Sequence, residues 1–467
     1  MKRSVVFILT VILAAGFLIG AYQTIGGYGD DVTVTPHHVY GDPANVAGIV
    51  MELETQCDNH MLWYTRHTAG DPGMTETEFI FSQDNVNEYN WDWDHDFDFY
   101  ISGGFGISTS GGSIDVGNTG WGKVINQLAK DVQNGQTLEK EILLEDYFEY
   151  YPMDYHVMIQ TSMYYIDEFK DSTQDGGYES GSYGRWTKDF KFPVLPGDKG
   201  HVTLTKSQDG GIIDLGVQVY DIGEAGFTTC IWDEGMYFAP VFRDYAGNPR
   251  TDGEFVQGYG LYHIPFKVDS RVEFHSETTM YAGWFDHENR ELIYPLDSDD
   301  LVVAMEADEK GTLHMIFRED GLYRYCALDI ESRTITHKID LMKAGQEQWC
   351  NYKFFLDQGL IYLQYDNQVA LLDVSGEPSL EFVIAIPKDI DFYLPDTVSY
   401  RDGTLYTAAL DWVVMNEGEP DETWERGYYL TAMDKEGLGY FGYYFTSLMD
   451  KGHSYAYVSQ NEIRIVE

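Results

Sequence analysis

Basic residues are scarce in this chain: 30 Lys and Arg stand against 77 Asp and Glu in 467 residues, a formal charge of −47 at pH 7. A nucleic-acid surface needs a basic stripe to neutralise phosphates, and so few cations exclude one. Cysteine is scarce too. Cys57, Cys230, Cys326 and Cys350 are scattered, with no CxxC pair and without the spacing of a secreted disulfide-rich miniprotein. They read as buried small hydrophobes, although Cys326 and Cys350 are near enough in sequence for pairing across adjacent strands to stay open. Catalytic signatures are missing as well. There is no GxSxG, no P-loop and no HExxH, and His287-Glu288 lacks a second histidine four residues on. The glycines of residues 103–112 have no lysine among them, so they do not read as a phosphate cradle.

What is present is enough to fold. Hydrophobic residues make up 43% of the chain and aromatic residues 15%, which separates it from disordered acidic tails. The first residues, Met1-Lys2-Arg3, precede an uncharged stretch at 4–29 whose apolar heart is 5–21. A short basic region before such a run directs a chain into or across a membrane. The run is near the lower limit for a spanning helix, and Ile19 is bulkier than the small residue usual two positions before a cleavage site at Ala21. The expectation is an uncleaved signal anchor at 1–25, a linker at 26–36 and an extracytoplasmic body at 37–467, with cleavage and secretion as the alternative. No later run is long and apolar enough to span, so membrane contact is expected through this segment only.

The body reads as short strands separated by Gly, Asp, Asn and Pro turns, for example at 48–53, 61–65, 78–81, 201–205, 216–220 and 260–266. One helix interrupts them at 120–133, where Trp121, Val124, Ile125, Leu128 and Val132 recur at helical spacing as one apolar stripe. The carboxyl third repeats itself. Lys310-Gly311-Thr312-Leu313-His314, Gln358-Gly359-Leu360-Ile361-Tyr362 and Asp402-Gly403-Thr404-Leu405-Tyr406 align, their glycines 48 and 44 residues apart. Each has a second echo, Ala327-Leu328-Asp329, Leu371-Leu372-Asp373 and Ala432-Met433-Asp434. A unit of about 45 residues with four strands and a tight glycine turn between the first two resembles a blade of the β-propeller superfamily. The resemblance is at fold level and clearest over 301–467. It implies an all-β fold of four-stranded blades in which the last strand, 463–466, pairs with an amino-terminal one. A separate amino-terminal β-domain up to about residue 290 is the alternative. Residues 84–135, with the helix and the Gly-rich segment, are expected to be an insertion on one face.

Asp92, Asp94, Asp96 and Asp98 alternate with aromatic residues, which in a strand puts four carboxylates on one face. Calcium is the counterion that such a row would take outside the cell, although the spacing lacks the glycine and distal Glu of a calcium loop. His37, His38, His60, His67 and His95 crowd the amino-terminal part without ligand spacing. The tyrosines of 147–165 read as core and strand edge. No catalytic residue and no metal ligand is assigned by pattern, because carboxylates this abundant form close pairs by chance. These features point to a membrane-anchored extracytoplasmic protein that binds a protein or a neutral or cationic ligand at the cell envelope. The alternative is a carbohydrate-active enzyme or sugar-binding protein using paired carboxylates.

Overall fold

A computed structural model of the chain describes residues 10–20, 32–57, 61–70, 73–81, 97–102, 109–110, 121–151, 154–159, 165–166, 189–219, 222–233, 235–244, 250, 253–265, 272–274, 278–280, 286–297, 300–345, 350–390, 393–415, 423–448 and 458–466. It is predominantly β, in antiparallel sheets. The chain divides into two compact units, one of residues 1–90 with 351–467 and one of residues 91–350. Residues 10–20 are helical and expose Leu13 and Phe17. Among the described residues no helix is long and apolar enough to cross a membrane. The ends of the expected spanning run at 5–21 lie outside the described residues.

Among the described residues the first unit holds three sheets. Two are built from consecutive strands: Asn351–Phe355, Leu360–Tyr365, Gln368–Asp373 and Ser379–Ala385 in one, and Thr397–Arg401, Thr404–Met415, Thr423–Asp434 and Gly437–Thr446 in the other, which also carries Val34–Gly41 as a fifth strand. The third sheet joins the two ends of the chain. Val458–Val466 pairs with Val50–Cys57, followed by Met61–Thr68 and Met74–Phe81. The expected partner for residues 463–466 is therefore present, in a register running from Val50 opposite Val466 to Cys57 opposite Val458. The strands of residues 34–81 thus share a unit with the repeat sheets of residues 351–446.

The middle sheet is buried on both faces. Leu405, Ala409, Tyr429, Met433 and Phe441 pack with Leu360, Tyr362, Leu371 and Phe382 of the 351–385 sheet. Ala408, Tyr428, Leu430, Ala432, Tyr440 and Tyr444 pack with Met51, Leu53 and Ile463 of the closing sheet. A strand with neighbours on both sides loses the apolar-polar alternation, and Gly427-Tyr428-Tyr429-Leu430-Thr431-Ala432-Met433 reads accordingly as one apolar run. The Thr431 hydroxyl in this run meets that of Thr407 at 2.7 Å, and the Tyr429 hydroxyl donates to the Tyr393 carbonyl at 2.6 Å.

The two echoes within each repeat lie opposite each other on neighbouring strands. Leu313 faces Leu328, Ile361 faces Leu372 and Leu405 faces Met433. The repeated aspartates close the turn that follows: Asp329 accepts the Ser332 N–H at 2.7 Å, Asp373 that of Ser375 at 2.9 Å and Asp434 that of Glu436 at 2.8 Å. The repeated glycines Gly311, Gly359 and Gly403 all sit at positive φ, 81°, 69° and 79°.

The second unit contains the remaining repeat sheet, Leu301–Ala307, Thr312–Glu319, Leu322–Asp329 and Thr334–Lys343. It also has a four-stranded sheet and a seven-stranded one. The helix is shorter than expected, Gly122–Leu128 continued by a 3-10 turn at Ala129–Asp131, but its predicted stripe is the buried face. It packs on Ile142, Val202, Leu204 and Leu215 of the four-stranded sheet. Residues 84–135 are not a simple surface insertion. Phe97–Ser102 lies inside the seven-stranded sheet, between Ile222–Trp232 and Asp154–Ile159, because both of its backbone edges find partners there. Cys230, Cys326 and Cys350 are buried thiols, so the 326–350 disulfide does not form, and burial pushes the Cys326 thiol up to about 12. Cys57 lies in the strand Val50–Cys57; its side chain is outside the described residues.

The glycines allow a test. An added Cβ at Gly403 meets nothing within 4 Å, whereas at Gly359 it falls 2.5 Å from the Ser375 Cβ. Gly403→Ala is expected to lose only the left-handed backbone term, about 1 kcal/mol, and Gly359→Ala at least twice that, because the following turn must also move. Urea midpoints of the two variants check this; equal losses would show that φ alone matters.

Candidate functional site

The first strands of the three sheets in the 1–90 and 351–467 unit border one cavity of about 720 Å³. Lys353 and Phe355 share a strand face two residues apart, which brings the ammonium 5.6 Å from the ring centroid. Asp396 precedes the first strand of the middle sheet. Its Oδ1 is 3.6 Å from Lys353 Nζ, its Oδ2 accepts the Leu410 N–H at 3.0 Å, and its own N–H donates to the Ala408 carbonyl at 2.9 Å. Next to it, Thr397 Oγ1 accepts the Ile465 N–H at 3.3 Å. Asp396 and Thr397 therefore tie together all three sheets where the cavity opens. Ile463, Ile465 and Val466 supply the apolar wall, and Arg464 and Asp357 complete its charges. Two cations and two carboxylates over aliphatic and aromatic walls can fix the orientation of a ligand that is polar at one end and apolar at the other.

Arg464 also borders a second cavity, of about 640 Å³, on the outer face of the closing sheet. Strand pairing sets Arg464, Glu52, Arg66 and Glu76 in one row across four strands, and Glu54, Tyr64 and Glu78 in the next. The Arg66 to Glu52 contact is 3.8 Å and half exposed, worth at most about 1 kcal/mol. The opposite face of the same strands carries Met51, Leu53, Thr65 and His67, all buried. Alternation along the strands thus places a charged face directly behind an apolar one.

Among the described residues, those singled out by pattern do not assemble. Asp92, Asp94 and Asp96 lie outside the described residues, as does the side chain of Asp98, so the acidic row and its calcium are not placed. His60 and His95 are also outside. His37 and His38 lie on the exposed strand Val34–Gly41, far in role from the buried His67, and His287 Nδ1 is 3.4 Å from Arg290. Among the described residues no three His, Cys, Asp or Glu are grouped to hold a metal. Of the tyrosine-rich segment, Tyr151 is core: its hydroxyl donates to buried Asp198, beside Arg250. Lys353, Asp396 and Arg464 were missed because each is a single charge in an ordinary strand context. Their one shared signal is position, at the first strand of a repeat or in the strand that closes the sheet.

No described protein family matches the chain, and no curated protein matches it. Among solved structures, TolB from Acinetobacter baumannii is 10% identical, with 93% of this chain and 81% of that one covered and a TM-score of 0.25. An auxiliary nutrient binding protein from Bacteroides thetaiotaomicron is 8% identical over 88% and 81%, TM-score 0.23. Citrobacter koseri AztD is 8% identical over 90% and 100%, TM-score 0.24. Likenesses at these TM-scores carry no argument about fold or function.

His67, behind the charged face, is 2% exposed; its Nδ1 lies 3.0 Å from Thr75 Oγ1 and its ring 5.6 Å from that of Tyr444. Burial pushes its pKa down from 6.5 to about 4. The unfolded chain therefore takes up this proton near pH 6.5 and the folded chain only near 4, so unfolding binds a proton between those values. Stability held above pH 6.5 is lost as pH falls toward 4, by up to about 3 kcal/mol. Urea unfolding of the wild type and His67→Gln at pH 7.5, 5.5 and 4.5 is expected to show a shallower acid loss in the variant. Parallel profiles would remove His67 from the acid response.

Proposed function

We propose that this chain is an extracytoplasmic β-propeller-like binding protein that takes a ligand at the cavity between the first strands of its repeat sheets. Residues 1–25 act as an uncleaved membrane anchor, and the linker after it ends before the strand Val34–Gly41, which belongs with the body rather than with a linker reaching residue 36. The observation that carries the binding reading is the joining of three sheets by Asp396 and Thr397 around one cavity that holds both cations and carboxylates. The repeated glycine and aspartate turns support the blade reading. The net charge of −47 favours a neutral or cationic ligand or partner protein at the cell envelope over an acidic one. The hydrolase reading gains little from the same cavity. Asp357 and Asp396 both border it, but Asp396 is already engaged by Lys353 and the Leu410 N–H, which leaves it poorly placed to exchange protons with a substrate.

Thermal denaturation of the full chain against neutral and cationic sugars, amino acids and amines tests the reading. A ligand at about a hundredfold its Kd adds about 2.7 kcal/mol to stability. For a zwitterionic amino acid, whose carboxylate a cation can pair, Lys353→Ala and Arg464→Ala are expected to weaken binding at least about tenfold, or about 1.4 kcal/mol, with the unliganded fold retained. A panel without stabilising members, or binding indifferent to both substitutions, sinks the proposal. The mass of the mature membrane-fraction protein tests the anchor separately: a product starting near Tyr22 would overturn it.

A further inference from the structure

The strand Gly437–Thr446, with the sequence GLGYFGYYFT, carries no charged side chain, in a chain with 77 acidic residues. Leu438, Tyr440, Phe441 and Tyr444 are buried, so the strand is held firmly from within. It is the fourth strand of its repeat sheet, and the other two repeat sheets stop at four. This one does not. Val34–Gly41 adds a fifth strand along its outer edge, from Val34 opposite Thr446 to Gly41 opposite Tyr440.

That fifth strand is lightly attached. Seven of its eight residues are exposed, including Val39 and Tyr40. Pro36, opposite Tyr444, has no N–H to give to the ladder, and the register shifts between His38 and Tyr40. Its side-chain latch is His38 Nδ1 with the Tyr440 hydroxyl at 2.8 Å, and that hydroxyl is 3.0 Å from Tyr444 OH. Main-chain contacts continue past both ends, from the Ser447 N–H to the Thr33 carbonyl at 2.9 Å and from the Asp42 N–H to the Gly439 carbonyl at 3.2 Å. Gly41 has φ of 77°, and a Cβ there would fall 2.0 Å from the Gly439 oxygen. The attachment is thus mostly backbone ladder, the kind of contact that any extended segment of compatible shape can reproduce.

We propose that the Gly437–Thr446 edge is a strand-addition site for an extended, non-acidic segment of a partner protein, and that residues 34–41 are a resident occupant which such a segment displaces. The occupant's own composition indicates the selectivity: VTPHHVYG has no Asp or Glu and two histidines, in a chain with a net charge of −47. An acidic strand, or a second copy of this chain, would approach against that field. The segment must offer a hydrogen-bonding group to the Tyr440 hydroxyl, as His38 does, and a glycine where it passes Gly439.

The test uses the full-length chain and a dye-labelled peptide with the sequence of residues 33–42, beside the same peptide with both histidines changed to glutamate. Binding of the first peptide is expected, and of the glutamate peptide at least about tenfold more weakly. His38→Ala and Gly41→Ala loosen the resident strand without touching the edge, and each is expected to raise the apparent affinity at least about tenfold, since more of the protein is then binding-competent. Thr35→Cys with Phe445→Cys, residues directly opposite each other, locks the resident strand on oxidation; peptide binding is expected to vanish and to return on reduction. Binding indifferent to the lock overturns the proposal. So does the absence of binding to His38→Ala protein with a native near-ultraviolet spectrum, or concentration-dependent dimers on sedimentation in place of peptide capture. If Gly41→Ala does not fold, His38→Ala and the lock decide the matter alone.

Discussion

The pairing of Val458–Val466 with Val50–Cys57 is the interaction on which the unit formed by the two chain ends depends. Without it, Met51 and Leu53 have no reason to face Ile463, and the Tyr428, Tyr440 and Tyr444 face of the middle sheet loses its cover. The contact closes a very long loop, but loop entropy grows only logarithmically. A tenfold longer loop costs about 2 kcal/mol more, which a full strand ladder and several buried apolar side chains offset. The strand also delivers Arg464 to the edge of both cavities and the Ile465 N–H to Thr397. Closure and site are therefore consequences of the same pairing.

Charge acts at two scales in this molecule. Over the whole chain the excess of carboxylate repels acidic partners and says nothing about any one residue. Locally, the few cations are placed where they count. In the second unit Arg324 lies between Glu319 and Asp340, while Lys338 reaches Glu319 at 2.8 Å, across the second, third and fourth strands of a repeat sheet. In the first unit Lys353 and Arg464 border the cavity beside aromatic and aliphatic side chains. Strands without any charge, such as Gly437–Thr446, are the ones that need covering, because uncharged backbone edges invite further strands.

Much of the fold was legible in the sequence. The echoes around Gly311, Gly359 and Gly403 were recognisable because each needs a positive φ, and the second echoes because Asp329, Asp373 and Asp434 close the next turn through their own side chains. The stripe from Trp121 to Val132 was legible for the same reason: helical spacing states which face is buried. The candidate site was not legible. Lys353, Asp396 and Arg464 belong to different sheets, and no local pattern marks them as neighbours. The role of Phe97–Ser102 as an inner strand was hidden too, since a strand's alternation reports its faces but not which edges are paired.

By itself the sequence determined a predominantly β body whose carboxyl third repeats a four-stranded unit, strongly acidic, with one amphipathic helix and buried cysteines at 230, 326 and 350. These follow from side-chain periodicity and turn chemistry, which act over a few residues. Only the tertiary structure decided which particular strands are neighbours: that Val50–Cys57 is the amino-terminal strand that pairs with Val458–Val466, that residues 34–41 cover an uncharged edge, and that Cys326 and Cys350 stay apart. The backbone hydrogen bonds that settle those choices are chemically the same for every strand. Partner identity is therefore set by closure of the chain and by which apolar faces must be covered, not by any residue type within the strand.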